Sequence, residues 1–146
     1  MRLFTILLLA AFSLPAQTSD EKDVAGVVQK VFDALAAHDG DMIRAVMLPD
    51  ARIYLVRETG AASSTSLADM AASVSNGKVP MLERFTGPAK VLVRNRIAQV
   101  WGEYEFLLDG KFSHCGVDTA TLFKTADGWK ISSLSYTVER TACPAK

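Results

Sequence analysis

"VWGEYEFLLDGKFSHCGVD", residues 100–118, is the stretch that decides the fold. Runs of aromatic and β-branched residues flank Asp109–Gly110, and Asp-Gly suits the positive φ angles of a tight hairpin turn. The stretch therefore predicts two long antiparallel strands, over residues 96–108 and 111–125. Alternation puts His114, Gly116, Asp118, Ala120 and Leu122 on one face of the second strand, with Ser113, Cys115, Val117, Thr119, Thr121 and Phe123 on the other. A strand with so many groups that do not simply pack has two readings: an ordinary sheet with a structural cysteine, or the wall of a pocket. Gly102, in the middle of the first strand, reads as a bulge, where the chain bends or something approaches closely.

Working outward, Asp127–Gly128 marks a second hairpin and a last strand over 128–138, so the final strands form a long antiparallel meander. Upstream, 81–86, 89–94 and "ARIYLVRE" (51–58) are rich in β-formers. Before them, Val24, Val27, Val28, Val31, Phe32 and Leu35 recur at helical spacing from a start at Ser19 or Asp20, which makes one apolar stripe. "HDGD" (38–41) stops that helix, with Asp39 and Asp41 as capping residues of a short second one, and Pro49 ends it. "TGAASSTS" reads as a loop, and Ser66 as the N-cap of a small helix through about Val74. Two helices, a strand, a small helix and a run of strands predict an α+β domain. Its helices would pack on one face of a strongly curved antiparallel sheet and enclose a pocket.

A chain of 146 residues suffices for one domain with a real core. Sixteen basic residues balance sixteen acidic ones, which leaves no electrostatic footprint for nucleic acid or an anionic membrane. There is no phosphate-cradling glycine motif, no G-x-S-x-G elbow and no cluster with metal-ligand spacing, so neither cofactor nor metal is expected. "MRLFTILLLAAFSLPAQ" has one early charge, an apolar run, then Pro15 and Ala16. That is the layout of a secretory signal peptide over residues 1–16, leaving a domain over 17–146 in the periplasm or outside the cell, with no membrane segment in the mature form. In an oxidising compartment the even pair Cys115 and Cys143 reads as a disulfide. Such a bond ties the tail to the strand carrying His114 and is worth about 2–4 kcal/mol.

Three blocks carry a resemblance: "HDGDMIRAVMLPDARI" (38–53), the stretch quoted at the outset, and "TADGWKISSLSYTVERTAC" (125–143). Over about residues 20–143 the chain resembles a secreted member of the nuclear transport factor 2-like superfamily, also called SnoaL-like or the cystatin-like α+β cone. "SHCGVD" with a terminal cysteine is similar to a bacterial subgroup of it. That subgroup often has an aspartate where Tyr136 stands here, so an activity depending on that carboxylate is not carried over. The resemblance implies a cone with a pocket and, by the superfamily's habit of pairing sheets, a homodimer. It admits dehydratases, isomerases, cyclases and scaffolding modules alike.

Within the cone, His114 has two readings: a general base or acid near neutral pH, or a histidine hydrogen-bonded to backbone with no chemistry. Asp118 lies about 13 Å along the strand and is either its carboxylate partner across one cavity or an exposed edge residue. Trp101, Tyr104 and Phe106, brought to one face by a bulge at Gly102, would bind a small apolar or aromatic ligand together with Tyr136, or simply fill the core. Binding of a small molecule ranks first, a metal-free dehydratase or isomerase using His114 second, and a protein-interaction module third.

Overall fold

The structure is a computed structural model that describes residues 18–143; the signal-peptide expectation for 1–16 lies outside the described residues. Helix α1 (Ser19–Ala37) opens with a capping box, Thr18 accepting from the Glu21 amide while the Glu21 carboxylate accepts from the Thr18 amide. Val24, Val28, Val31 and Phe32 form its buried stripe. Helix α2 (Gly40–Val46) is capped by Asp39, whose Oδ1 accepts from the Met42 amide at 2.9 Å. Asp41 pairs instead with Arg44. Helix α3 (Leu67–Ser75) starts at the expected cap, Ser66.

The strands are β1 (Met47–Arg57), β2 (Ala62–Ser66), β3 (Met81–Phe85), β4 (Lys90–Arg94), β5 (Ile97–Leu108), β6 (Lys111–Thr125) and β7 (Gly128–Val138). They form one sheet in the order β2-β1-β7-β6-β5-β3, with β4 also paired to β5. The sheet is antiparallel except for β1 beside β7, which run parallel. Asp109 and Gly110 turn the β5–β6 hairpin with φ of 52° and 70°, the positive values that Asp-Gly tolerates.

Two expectations need correction. "ASSTS" is strand β2, not loop: it has no apolar alternation of its own and is held by pairing with β1, aided by the Arg52 guanidinium donating to Ser64 Oγ. And β1 begins at Met47, with Pro49 inside an irregular segment where the register with β7 shifts, so its missing N–H breaks no ladder.

The helices lie across one face of the sheet. Ile43, Ala71 and Val74 meet Ile53, Val100, Leu122, Ile131 and Leu134 in a single core with the α1 stripe. Trp129 closes it under α1, its indole N–H 3.4 Å from Asp20. This core fills one end of the cone. The other end, where β5, β6 and β7 run past α3, stays hollow.

Candidate functional site

The inner face of the meander builds the site. β5 pairs with β6 without a break from Ile97 to Phe106, and the register slips only beyond Phe106. Ser113 is the extra residue there, so the bulge sits beside His114 and not at Gly102. Gly102 serves a different need: a Cβ on it would lie 2.5 Å from the ring of Phe85.

Unbroken alternation decides which aromatic side chains reach the hollow. Tyr104 and Phe106 face inward with Gly102, while Trp101 faces outward, is 41% exposed, and has the Lys90 ammonium 5.3 Å above its ring. Trp101 is thus corrected from the inner wall to the outer face, because the bulge that would have turned it inward lies further along the hairpin. Tyr104 faces inward but is 1% exposed and does not line the cavity. Its ring lies across from Gly116, and its hydroxyl donates to the Thr137 carbonyl at 2.7 Å.

His114, Asp118, Phe106 and Tyr136 all line one cavity of about 430 Å³, whose walls also include Leu55, Met70 and Glu83. His114 stacks on Phe106 at 4.9 Å between ring centres and meets Tyr104 edge-on. Its Nδ1 lies 3.1 Å from Ser113 Oγ. Burial, and then the Arg140 guanidinium, hold its pKa below the usual imidazole value, so the ring is neutral at neutral pH. A neutral imidazole can accept a proton.

Asp118 is only 4% exposed, and its buried Oδ2 accepts from no amide, hydroxyl or cation among the described residues. It sits across from Gly102 on β5 and Tyr136 on β7, in the middle of the sheet. Facing it is Glu83, which the sequence reading missed. The two carboxyls are close enough to share a proton, and burial pushes Asp118 up to about 7 while burial and the Asp118 charge push Glu83 well above the carboxylate range. Two buried like charges cannot both ionise cheaply, so near neutral pH the pair holds one proton between them. Tyr136 and Tyr104 are both raised by burial and by these neighbouring acids, so both phenols stay protonated. The missed signal was parity: in "MLERF", Glu83 stands between Met81 and Phe85 on the inward face, an acid on an apolar stripe.

Cys115 and Cys143 form the expected disulfide, with 5.8 Å between Cα atoms, on the sheet's outer face. Near it a second hollow of about 980 Å³ is flanked by the ion pair of Arg84 with Glu105. It contains no buried polar atom lacking a partner, among the described residues, so the inner cavity is the better site. Nor, among the described residues, do three or more His, Cys, Asp or Glu side chains gather to hold a metal ion.

No family model matches the sequence, and no curated protein matches it. Solved structures do. A nuclear transport factor 2-like superfamily protein from Salmonella enterica serovar Typhimurium superposes with TM-score 0.68 at 10% identity, covering 88% of this chain and 96% of the other. A protein with a cystatin-like fold from Novosphingobium aromaticivorans gives 0.66 at 16% identity, covering 85% and 84%. A candidate dehydratase of the nuclear transport factor 2-like family from Streptomyces avermitilis gives 0.66 at 19% identity, covering 84% and 98%. At such low identity these likenesses establish the fold, which is the cystatin-like, nuclear transport factor 2-like α+β cone.

Proposed function

We propose that this chain is an exported member of the nuclear transport factor 2-like superfamily whose cone binds a small, largely apolar molecule. The observation that carries the reading is Asp118: an acid 4% exposed, on the wall of a cavity of about 430 Å³, whose Oδ2 accepts from no amide, hydroxyl or cation among the described residues and whose facing group is another acid, Glu83. One proton shared between two carboxyls still leaves acceptor oxygens unfilled, each costing about 1–3 kcal/mol when buried, and a ligand hydroxyl or amide would fill one. The volume suits a small ligand, since such pockets run from about 300 to 1,000 Å³. The apolar run at residues 3–14 and the disulfide support export, and the exposed Leu92, Ile97, Trp101 and Phe123 on the outer sheet face support pairing into a homodimer.

Native mass spectrometry of the protein purified from an expressing host's periplasm tests the reading. The expected result is an adduct of small-molecule mass that disappears on denaturation. A bare mass that persists after incubation with a small-molecule extract of the host would count against it.

A second reading, a dehydratase- or isomerase-type enzyme, is favoured by one feature: a neutral His114 and the proton-sharing Asp118–Glu83 pair line the same cavity. One group can take a proton while another returns it. The candidate dehydratase from Streptomyces avermitilis shares the fold and so lends this reading an analogy. His114→Ala separates the two. An enzyme should lose about 100-fold or more in solvent-deuterium exchange into the bound compound while still binding it. Unchanged exchange in the variant, or none in the wild type, leaves the binding reading alone.

A further inference from the structure

Two arginines at the rim of the inner cavity have side chains with no ion pair among the described residues. Arg57, the last residue of β1, pairs in parallel register with Val138 on β7. Beyond β7 the bridge between Cys115 and Glu139 continues the β6–β7 register, so Arg140 arrives opposite His114. Arg57 and Arg140 are then diagonal neighbours on one face. Both line the cavity, and neither guanidinium has an ion-pair partner among the described residues.

Arg140 is held there by an unusual amount of structure for a chain end. The Glu58 carboxylate accepts from the amides of Arg140, Thr141 and Ala142, and from the Thr141 hydroxyl. The disulfide at Cys143 fixes the next residue to β6. A strap clamped at both Glu58 and Cys143 holds Arg140 at the cavity mouth, where it lines the cavity and is exposed to solvent. Asp69, the acid of α3 on the same wall, forms no ion pair with either arginine among the described residues, and its Oδ2 accepts from Ser66 Oγ at 2.6 Å in the helix cap.

We infer that the ligand is an amphipathic anion, an apolar body with a carboxylate held between Arg57 and Arg140 at the rim, its far end reaching the Asp118–Glu83 pair. The inference rests on the binding reading above and adds the charge and direction of the ligand. Guanidinium groups suit this task because their planar fork matches a carboxylate with two parallel hydrogen bonds. The positive charge sits at the mouth and the shared acidic proton in the interior, so the cavity is polar at its two ends and apolar between them.

The test is a titration of the mature, disulfide-bonded protein by proton–nitrogen correlation NMR, which follows weak binding residue by residue. The probes are octanoate and naphthylacetate, with octanol and naphthylacetamide as neutral counterparts of the same bodies. The expected result is that each acid binds about tenfold more tightly than its neutral counterpart, the gain from charge-assisted pairing. Arg57→Gln with Arg140→Gln should bring that ratio to near one while leaving the neutral compounds' affinity unchanged. The corresponding lysine pair should keep part of the preference. Dispersed spectra of each variant establish that it is folded. A wild-type ratio near one, with the neutral compounds bound, overturns this inference and leaves the binding reading in place. A ratio that survives in the double glutamine variant also overturns it, since the anion site then lies elsewhere. Failure of acids and neutral compounds alike to shift any cavity resonance overturns both.

Discussion

Gly116→Ala is expected to destabilise the protein by roughly 3 kcal/mol or more, a large effect for one methyl group. A Cβ on Gly116 would lie 2.1 Å from the Thr137 carbonyl oxygen and 2.8 Å from its Oγ1, and the nearest atom is backbone, which cannot rotate away. Those atoms also hold the local ladder together. The Thr137 carbonyl accepts from the Tyr104 hydroxyl, and Thr137 Oγ1 accepts from the Val117 amide. Pushing β7 off β6 therefore adds overpacking, about 1–3 kcal/mol, to a buried carbonyl stripped of its donor, about 1–3 kcal/mol more. The control is the same change in an open place. Gly26 is exposed in the middle of α1 with nothing within 4 Å of a new Cβ, so Gly26→Ala should stabilise by about 0.5–1 kcal/mol. Urea melts of the two variants beside the wild type decide it. Equal and small shifts would mean that the β6–β7 junction yields freely and that the Tyr104–Thr137 bond holds nothing in place.

The same junction shows which parts of this fold are legible in a sequence. Both Asp-Gly hairpins are local codes, and each long strand of the meander falls where its alternation predicts it. The inward face of β6, from His114 to Leu122, follows from parity alone. What was not legible depends on a partner. A bulge belongs to a pair of strands, so nothing in residues 96–108 announces that the extra residue is Ser113 and not Gly102, and Trp101 was misplaced for that reason. Strand β2 is five small polar residues that owe their shape to β1. Glu83 had a signal, its place between Met81 and Phe85, but five residues are too few to say which face is inside. Arg57 and Arg140 meet only because β1 and β7 run parallel, a pairing across most of the chain that no local pattern encodes.

Asp118→Asn should make the protein more stable at pH 8 by on the order of 2–3 kcal/mol, with the gain fading toward pH 5. The sign follows from proton binding. Burial raises the Asp118 pKa from an ordinary 3.8 to about 7, so between those values the folded state binds the proton and the unfolded state does not. Stability from this group is then full at low pH and is lost as pH rises through the folded pKa, at up to about 1.4 kcal/mol per pH unit. Glu83, raised by the same burial and by Asp118 itself, extends the loss in the same direction. Other groups do not mask it. His114, with its pKa lowered, contributes in the opposite sense as pH rises through the region below 6.5, but it does so in both proteins and cancels in the difference. Asp20 and Glu58 are lowered, so what they contribute is lost only in acid below the carboxylate range, outside this window. Thermal or urea melts of wild type and variant from pH 5 to pH 8 give the curve. A difference that stays flat across the window would mean that Asp118 is ionised at pH 5 and that no proton is shared with Glu83. A difference that grows with pH would identify an acid kept at the cavity wall against the interest of stability, the mark of a group retained for what it binds.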